Sequence, residues 1–165
     1  MLATQYSMNK GTQMSSPTAV LMDDLQSLVG TTLGPTEWRD ITQDDVNTFA
    51  DVTGDHQWIH IDPQRAADGP FGGTIAHGFM TLSLIPVLVA QLLKVEGSAL
   101  TVNYGLNKVR FPSPVPVGTA VRATGELTNV EEVTGGLQGE MALTIERDGG
   151  TKPVCVAESV FRYYR

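Results

Sequence analysis

Two side chains in this sequence stand at a spacing suited to proton transfer: Asp55 and His60, a carboxylate and an imidazole five positions apart. If the chain between them curls back, both reach one water, and such a pair suits general acid–base work. They belong to the run Phe49-Ala50-Asp51-Val52-Thr53-Gly54-Asp55-His56-Gln57-Trp58-Ile59-His60-Ile61-Asp62, which holds two of the three histidines. Gly54 reads as a helix stop, so the pair falls on a loop held by more regular elements, where functional residues commonly lie. A plainer reading stands beside it at this point. Asp55 can simply form a turn, and a lone histidine is more often structural than catalytic. On residue types alone the plainer reading is slightly ahead.

The elements that must position this loop can be read on either side of it. Leu21, Leu25 and Leu28 recur at helical spacing between Asp23-Asp24 and Gly30, which predicts a short amphipathic helix closed by glycine. Gly34-Pro35 breaks the pattern, and residues 36–41 read as a short strand. Thr42 can cap the next helix, with Asp44 and Asp45 at its positive end and Val46, Phe49, Ala50 and Thr53 on its inner face. Asp62-Pro63 predicts an N-cap followed by proline at the first helical position, for a short helix to about residue 68. Residues 77–94, apolar nearly all round, predict one long buried helix that Pro86 can kink. Beyond residue 100 the texture is that of strands, at 100–104, 108–111, 119–130, 137–147 and 152–163. Asp148-Gly149-Gly150 is a hairpin signal. Helices followed by strands predict an α+β domain in which a long helix needs a sheet to cover it.

Composition narrows the function. A chain of 165 residues with 41% hydrophobic and 18% charged residues is ordinary for one soluble domain. A formal net charge of −7 with scattered basic residues argues against nucleic acid as a partner. The single Cys155 excludes an intrachain disulfide and any cysteine-rich metal site, and reads as a small core residue. Residues 1–18 form a polar leader, expected to be disordered and without the features of a secretory signal, so that the domain covers 19–165 and the default location is the cytoplasm. The longest apolar run, at 79–93, falls short of the roughly 20 residues that span a bilayer. The glycines of Gly69-Pro70-Phe71-Gly72-Gly73 match no phosphate-binding loop.

The run from Phe49 through Gly54-Asp55 to His60-Ile61-Asp62, then Ala76-His77-Gly78 opening an apolar helix, then Arg110-Phe111-Pro112 and Pro116-Val117-Gly118, resembles the (R)-specific enoyl-CoA hydratases of the MaoC-like dehydratase family, in its nodulation-protein-N-like branch. The similarity runs from about Trp38 to the C-terminal strand. It implies the hot-dog fold, a curved antiparallel sheet wrapped around one long central helix, and a homodimer joined into one continuous sheet. It also implies an acyl-CoA thioester substrate, no cofactor, and Asp55 and His60 as the catalytic pair. The family often has Asn-Pro between the pair, whereas this chain has Gln57-Trp58, so Trp58 either packs under the loop or lines the acyl tunnel.

Hydrating a trans-2-enoyl thioester needs a water aimed at C3, a proton for C2, and a donor for the charge building on the thioester oxygen. The resemblance assigns the water to Asp55 and His60. The Gly78 N–H at a helix start would meet the oxygen, and glycine lets a thioester come close. His77 orients the loop or bonds its backbone, and His56 points to solvent or caps the turn. Arg65, Lys108 and Arg110 are candidates for the coenzyme A phosphates. Asp55, His60, Asp62 and His77 lack the tight spacing of a metal motif, and none is expected there. A carrier-protein dehydratase, a hot-dog thioesterase and a non-catalytic acyl-thioester-binding subunit remain as alternatives.

Overall fold

Strict alternation of small or apolar with polar residues builds the sheet of this protein. The structure, a computed structural model, describes residues 16–165. In chain order it runs through β1 (Thr18–Leu21), a 3-10 helix (Met22–Leu28), β2 (Thr32–Leu33), β3 (Arg39–Asp40), α1 (Gln43–Thr53), α2 (Trp58–Ile61) and α3 (Pro63–Ala67). There follow α4 (Gly78–Ser83), α5 (Ile85–Leu92), β4 (Leu93–Glu96), β5 (Leu100–Arg110), β6 (Ala120–Val133), β7 (Gly136–Arg147) and β8 (Cys155–Tyr164). The main sheet is antiparallel in the order β2-β6-β7-β8-β5, with β3 also on β6, while β1 and β4 pair in parallel apart from it.

One face of that sheet is the core. Val121, Ala123 and Leu127 of β6, Met141, Leu143 and Ile145 of β7, and Cys155, Ala157 and Phe161 of β8 are buried on it. Period-two spacing puts all of these on the same side. Ile85, Leu88 and Leu92 of α5 and Met22 and Leu25 of the 3-10 helix complete the cluster. Cys155 is buried as expected, and burial pushes its thiol up to about 11.

The hot-dog arrangement of helix against antiparallel sheet is therefore present, with local departures from the sequence reading. The long helix is two segments: Leu84 separates α4 from α5, and Pro86 stands in the first turn of the second. Proline has no N–H to bond the carbonyl four residues back, so the ladder breaks and restarts. The helix then ends at Leu92, because Leu93 and Lys94 are extended in β4 beside Thr18 and Ala19. Phe79 and Val87 are exposed, so the helix is not buried all round.

The two strands expected at 100–104 and 108–111 are one, β5, whose pairing with β8 absorbs shifts between Asn103 and Gly105 and between Leu106 and Lys108. The extended stretch expected at 36–41 pairs as a strand only at Arg39–Asp40, and Thr53 is exposed rather than on the inner face of α1. The leader lies outside the described residues except at its end, where Thr18 already belongs to β1. Among the described residues no helix is long and apolar enough to cross a membrane.

Candidate active site

Local chemistry fixes the ends of the segments that carry the acid–base pair. Thr42 accepts from Asp45 N–H while the Asp45 carboxylate accepts from Thr42 N–H, a reciprocal cap that starts α1 and draws the Asp45 carboxyl below its usual range. Gly54 ends α1 in the left-handed conformation at φ 79°. Asp55 follows at once on the exposed side. The next residues close into α2, and Asp62 caps α3 by accepting from Arg65 N–H at 3.0 Å. His60 therefore sits on a helical turn between two capped elements.

His60 is buried, 7% exposed, and its Nδ1 lies 2.6 Å from the Ile75 carbonyl oxygen. A carbonyl only accepts, so Nδ1 carries the proton and Nε2 keeps its lone pair. His77, 3% exposed, donates from Nε2 to the Asp55 carbonyl at 2.9 Å. The two imidazoles stack with centroids 3.8 Å apart, and the Phe49 ring lies 5.0 Å from His77. One ligand-type atom from each of Asp55, His60 and His77 falls within 4.8 Å of the others. Such a cluster has the donor types of a zinc-like site, and two of its three members, Asp55 and His60, are the types that water activation needs.

Burial holds the His60 pKa below its ordinary value, and the neighbouring His77 adds to this against the Ile75 bond and the Asp55 charge. The imidazole is consequently available as a base near neutrality. His56 instead pairs on the surface with Asp51 at 2.9 Å, which raises its pKa.

His60 and Gly78 share a cavity of about 330 Å³ whose wall includes Ile75, Thr81 and Phe111. Asp55 and His77 reach the cluster from outside that lining. The Gly78 N–H belongs to the first helical turn, whose donors the helix itself leaves unbonded. A methyl group there would come within 3.0 Å of the Phe111 ring, so glycine is the residue that lets the two pack.

The remaining candidates are dispersed. Trp58 packs under the neighbouring loop, 4.4 Å from the Arg65 guanidinium and against Gly69, not in the cavity wall. Lys108 faces a groove shared with Glu158, and Arg110 donates to the Val109 carbonyl. Arg110 alone of the three basic candidates adjoins a lining residue, Phe111.

Sequence reasoning missed Gln43 and Thr74. Gln43 donates to the His60 carbonyl at 2.7 Å and accepts from Thr74 Oγ1 at 2.7 Å, tying α1 to the turn that holds His60 and to the segment whose Ile75 carbonyl orients it. Ile75 N–H in turn donates to the Ile59 carbonyl. Nothing in the spacing of these residues marks them, since they meet only when the segments dock.

A one-sided sheet over a central helix, with a carboxylate and a buried imidazole at the helix entrance, defines a hot-dog hydro-lyase scaffold, and comparison with known proteins agrees. Residues 24–147 match the MaoC like domain, and the chain belongs to that dehydratase family. It is 58% identical over 141 residues to 3-hydroxyacyl-thioester dehydratase Z of Mycobacterium tuberculosis, covering 85% of this chain and 93% of the relative. Nodulation protein N of Rhizobium meliloti is 40% identical over 141 residues, covering 84% and 88%. The solved (R)-hydratase from A. caviae superposes with a TM-score of 0.68 at 27% identity, covering 82% of this chain and 96% of that one. The family is one of hydratases and dehydratases, which makes this a lyase-type fold and sequence.

Proposed function

We propose that the protein is an (R)-specific enoyl-CoA hydratase, adding water reversibly to trans-2-enoyl-CoA to give (R)-3-hydroxyacyl-CoA. The observation that carries this reading is the His60 imidazole, held in one tautomer by Ile75 and in one cluster with Asp55, beside a cavity that Gly78 also lines. Water held between Asp55 and His60 attacks C3, giving its proton to His60 Nε2. That proton is relayed through the Asp55 carboxylate to C2, so the pair ends the cycle as it began. Charge on the thioester oxygen meets the Gly78 N–H. One such donor contributes about 3 kcal/mol in the transition state, and the acid–base group roughly 10²–10⁴-fold. Run backwards, the same steps dehydrate a 3-hydroxyacyl thioester, the activity in the name of the 58% identical relative.

The test is turnover of a short trans-2-enoyl-CoA, followed by loss of the conjugated-enoyl absorbance, with Asp55→Asn and His60→Gln compared in folded form. The expected result is hydration by the wild type and a loss of at least about 10²-fold in each variant. Release of free thiol instead makes the protein a thioesterase. Turnover confined to carrier-protein thioesters makes it a dehydratase of that class, and no turnover on either carrier makes it a binding subunit.

A further inference from the structure

Among the described residues, two buried side-chain polar atoms lack a hydrogen-bond partner: His77 Nδ1, inside the acid–base cluster, and Ser159 Oγ, outside it. Buried polar groups are nearly always paired, so an orphan calls for a partner that the fold itself does not supply. Ser159 occupies a core-facing position of β8 between buried Ala157 and Phe161, with Met141 of β7 and Leu106 of β5 alongside. It is 3% exposed, yet it borders a cavity of about 270 Å³ whose walls also include Leu82, Ile85, Pro86, Leu106 and Phe161.

Two further features mark the place. The β5–β8 register slips on both sides of Gly105 and Leu106, and bulges of this kind re-aim strands next to ligand sites. Asn103 and Gly105, at the same point of β5, border the cavity, and an added Cβ at Gly105 would meet nothing within 4 Å.

The cavity lies along the end of α4 and the start of α5, beyond Gly78. Leu82 and Ile85 follow it by four and seven residues, roughly 6–10 Å of helical rise, so an acyl chain of about six to nine carbons starting at Gly78 reaches this depth. On the thioester reading this cavity is the far end of the acyl site, and we propose that Ser159 selects thioesters whose acyl chain carries a hydrogen-bonding oxygen, as hydroxyl or keto group, distal to the reacting carbons. The proposal rests on the thioester reading above. A wholly aliphatic chain would seal the Ser159 hydroxyl against hydrocarbon with no partner, whereas a distal oxygen pairs with it. Ser159 is thus a specificity-determining residue, remote from the bond that reacts.

Binding separates this from turnover. Calorimetry with octanoyl-CoA and with its analogue hydroxylated next to the terminal carbon is expected to show the oxygenated ligand bound about 3- to 10-fold more tightly by the wild type. Ser159→Ala is expected to bring that ratio to about one, and Ser159→Thr, which keeps a hydroxyl, to retain part of it. Equal affinities in the wild type, a preference for the plain chain, a preference that survives Ser159→Ala, or no binding of either ligand would each overturn the proposal. Hydration of enoyl-CoA alongside a flat ratio removes the Ser159 inference and leaves the hydratase reading standing. A Ser159-dependent ratio without hydration does the reverse.

Discussion

On the hydratase reading, His60 and His77 act as a pair in which one ring is reactive and the other holds it in place. His77 clamps the Asp55 carbonyl and stacks on His60, so it positions both members of the acid–base pair without being needed to move a proton. Burial first, and His77 second, lower the His60 pKa, so the acid limb of kcat/KM is expected below about 6.5, the ordinary histidine value. Replacing His77 by Gln removes the stacked ring and the like-charge contribution. The limb is then expected to move up toward 6.5 while kcat falls about 10-fold, in a variant that still melts cooperatively. A limb unmoved by His77→Gln would reduce His77 to a packing residue. Stability follows the same sign. The folded protein keeps His60 neutral at a pH where the unfolded chain protonates it, so this contribution is complete above about 6.5 and is lost as pH falls toward the lower folded value. Thermal melts of wild type and His60→Gln between neutral and mildly acidic pH check this, the variant being the less pH-sensitive.

The elements that hold these residues depend on a few backbone positions, and two of them can be tested separately. Gly54 adopts φ 79° with open space where a Cβ would go, so Gly54→Ala meets no clash and only the left-handed strain. That costs about 1–2 kcal/mol, and the melting point is expected to fall by roughly 2–8 °C, with activity falling because Asp55 is the next residue. Gly78→Ala has a different signature. Its methyl presses on Phe111 at 3.0 Å, a half-exposed ring that can yield into the cavity, so stability should hold while kcat/KM drops about 10- to 100-fold. The sequence made the first of these positions legible because caps are local: Thr42, Gly54 and Asp62-Pro63 announce the ends of α1 and α3 through chemistry contained within a few residues. The pairing of Asp55 with His60 was legible only with the family resemblance beside it. What stayed hidden depends on docking. The turn α2, the Gln43–His60–Thr74 bonds and the His60–His77 stack exist because distant segments meet. Likewise β5 reads as two strands in sequence, since a glycine and two bulges interrupt an alternation that the β8 ladder nevertheless spans.

At the scale of the whole molecule, the unpaired side of the sheet is its most unusual surface. The edge strand β5 exposes Leu100, Val102, Tyr104 and Leu106, and the helix exposes Phe79 and Val87. A long apolar edge of this kind pairs with further chains unless something covers it. We propose that a second copy covers it, β5 against β5 about a two-fold axis, joining the two sheets into one, as the family resemblance leads one to expect. The arrangement uses the same stretch of both copies, and glutamates at Leu100 and Val102 would place charged carboxylates from both chains in one apolar seam. Sedimentation of the wild type should therefore give twice the chain mass of 17.7 kDa, and Leu100→Glu/Val102→Glu should give the single chain with its secondary structure retained. Activity is expected to fall when dimerisation is lost, because Phe79 lies 6.0 Å from Phe111, edge to face, and Phe111 lines the cavity that His60 and Gly78 share. A wild type that sediments as one chain at micromolar concentration would overturn the β5–β5 pairing.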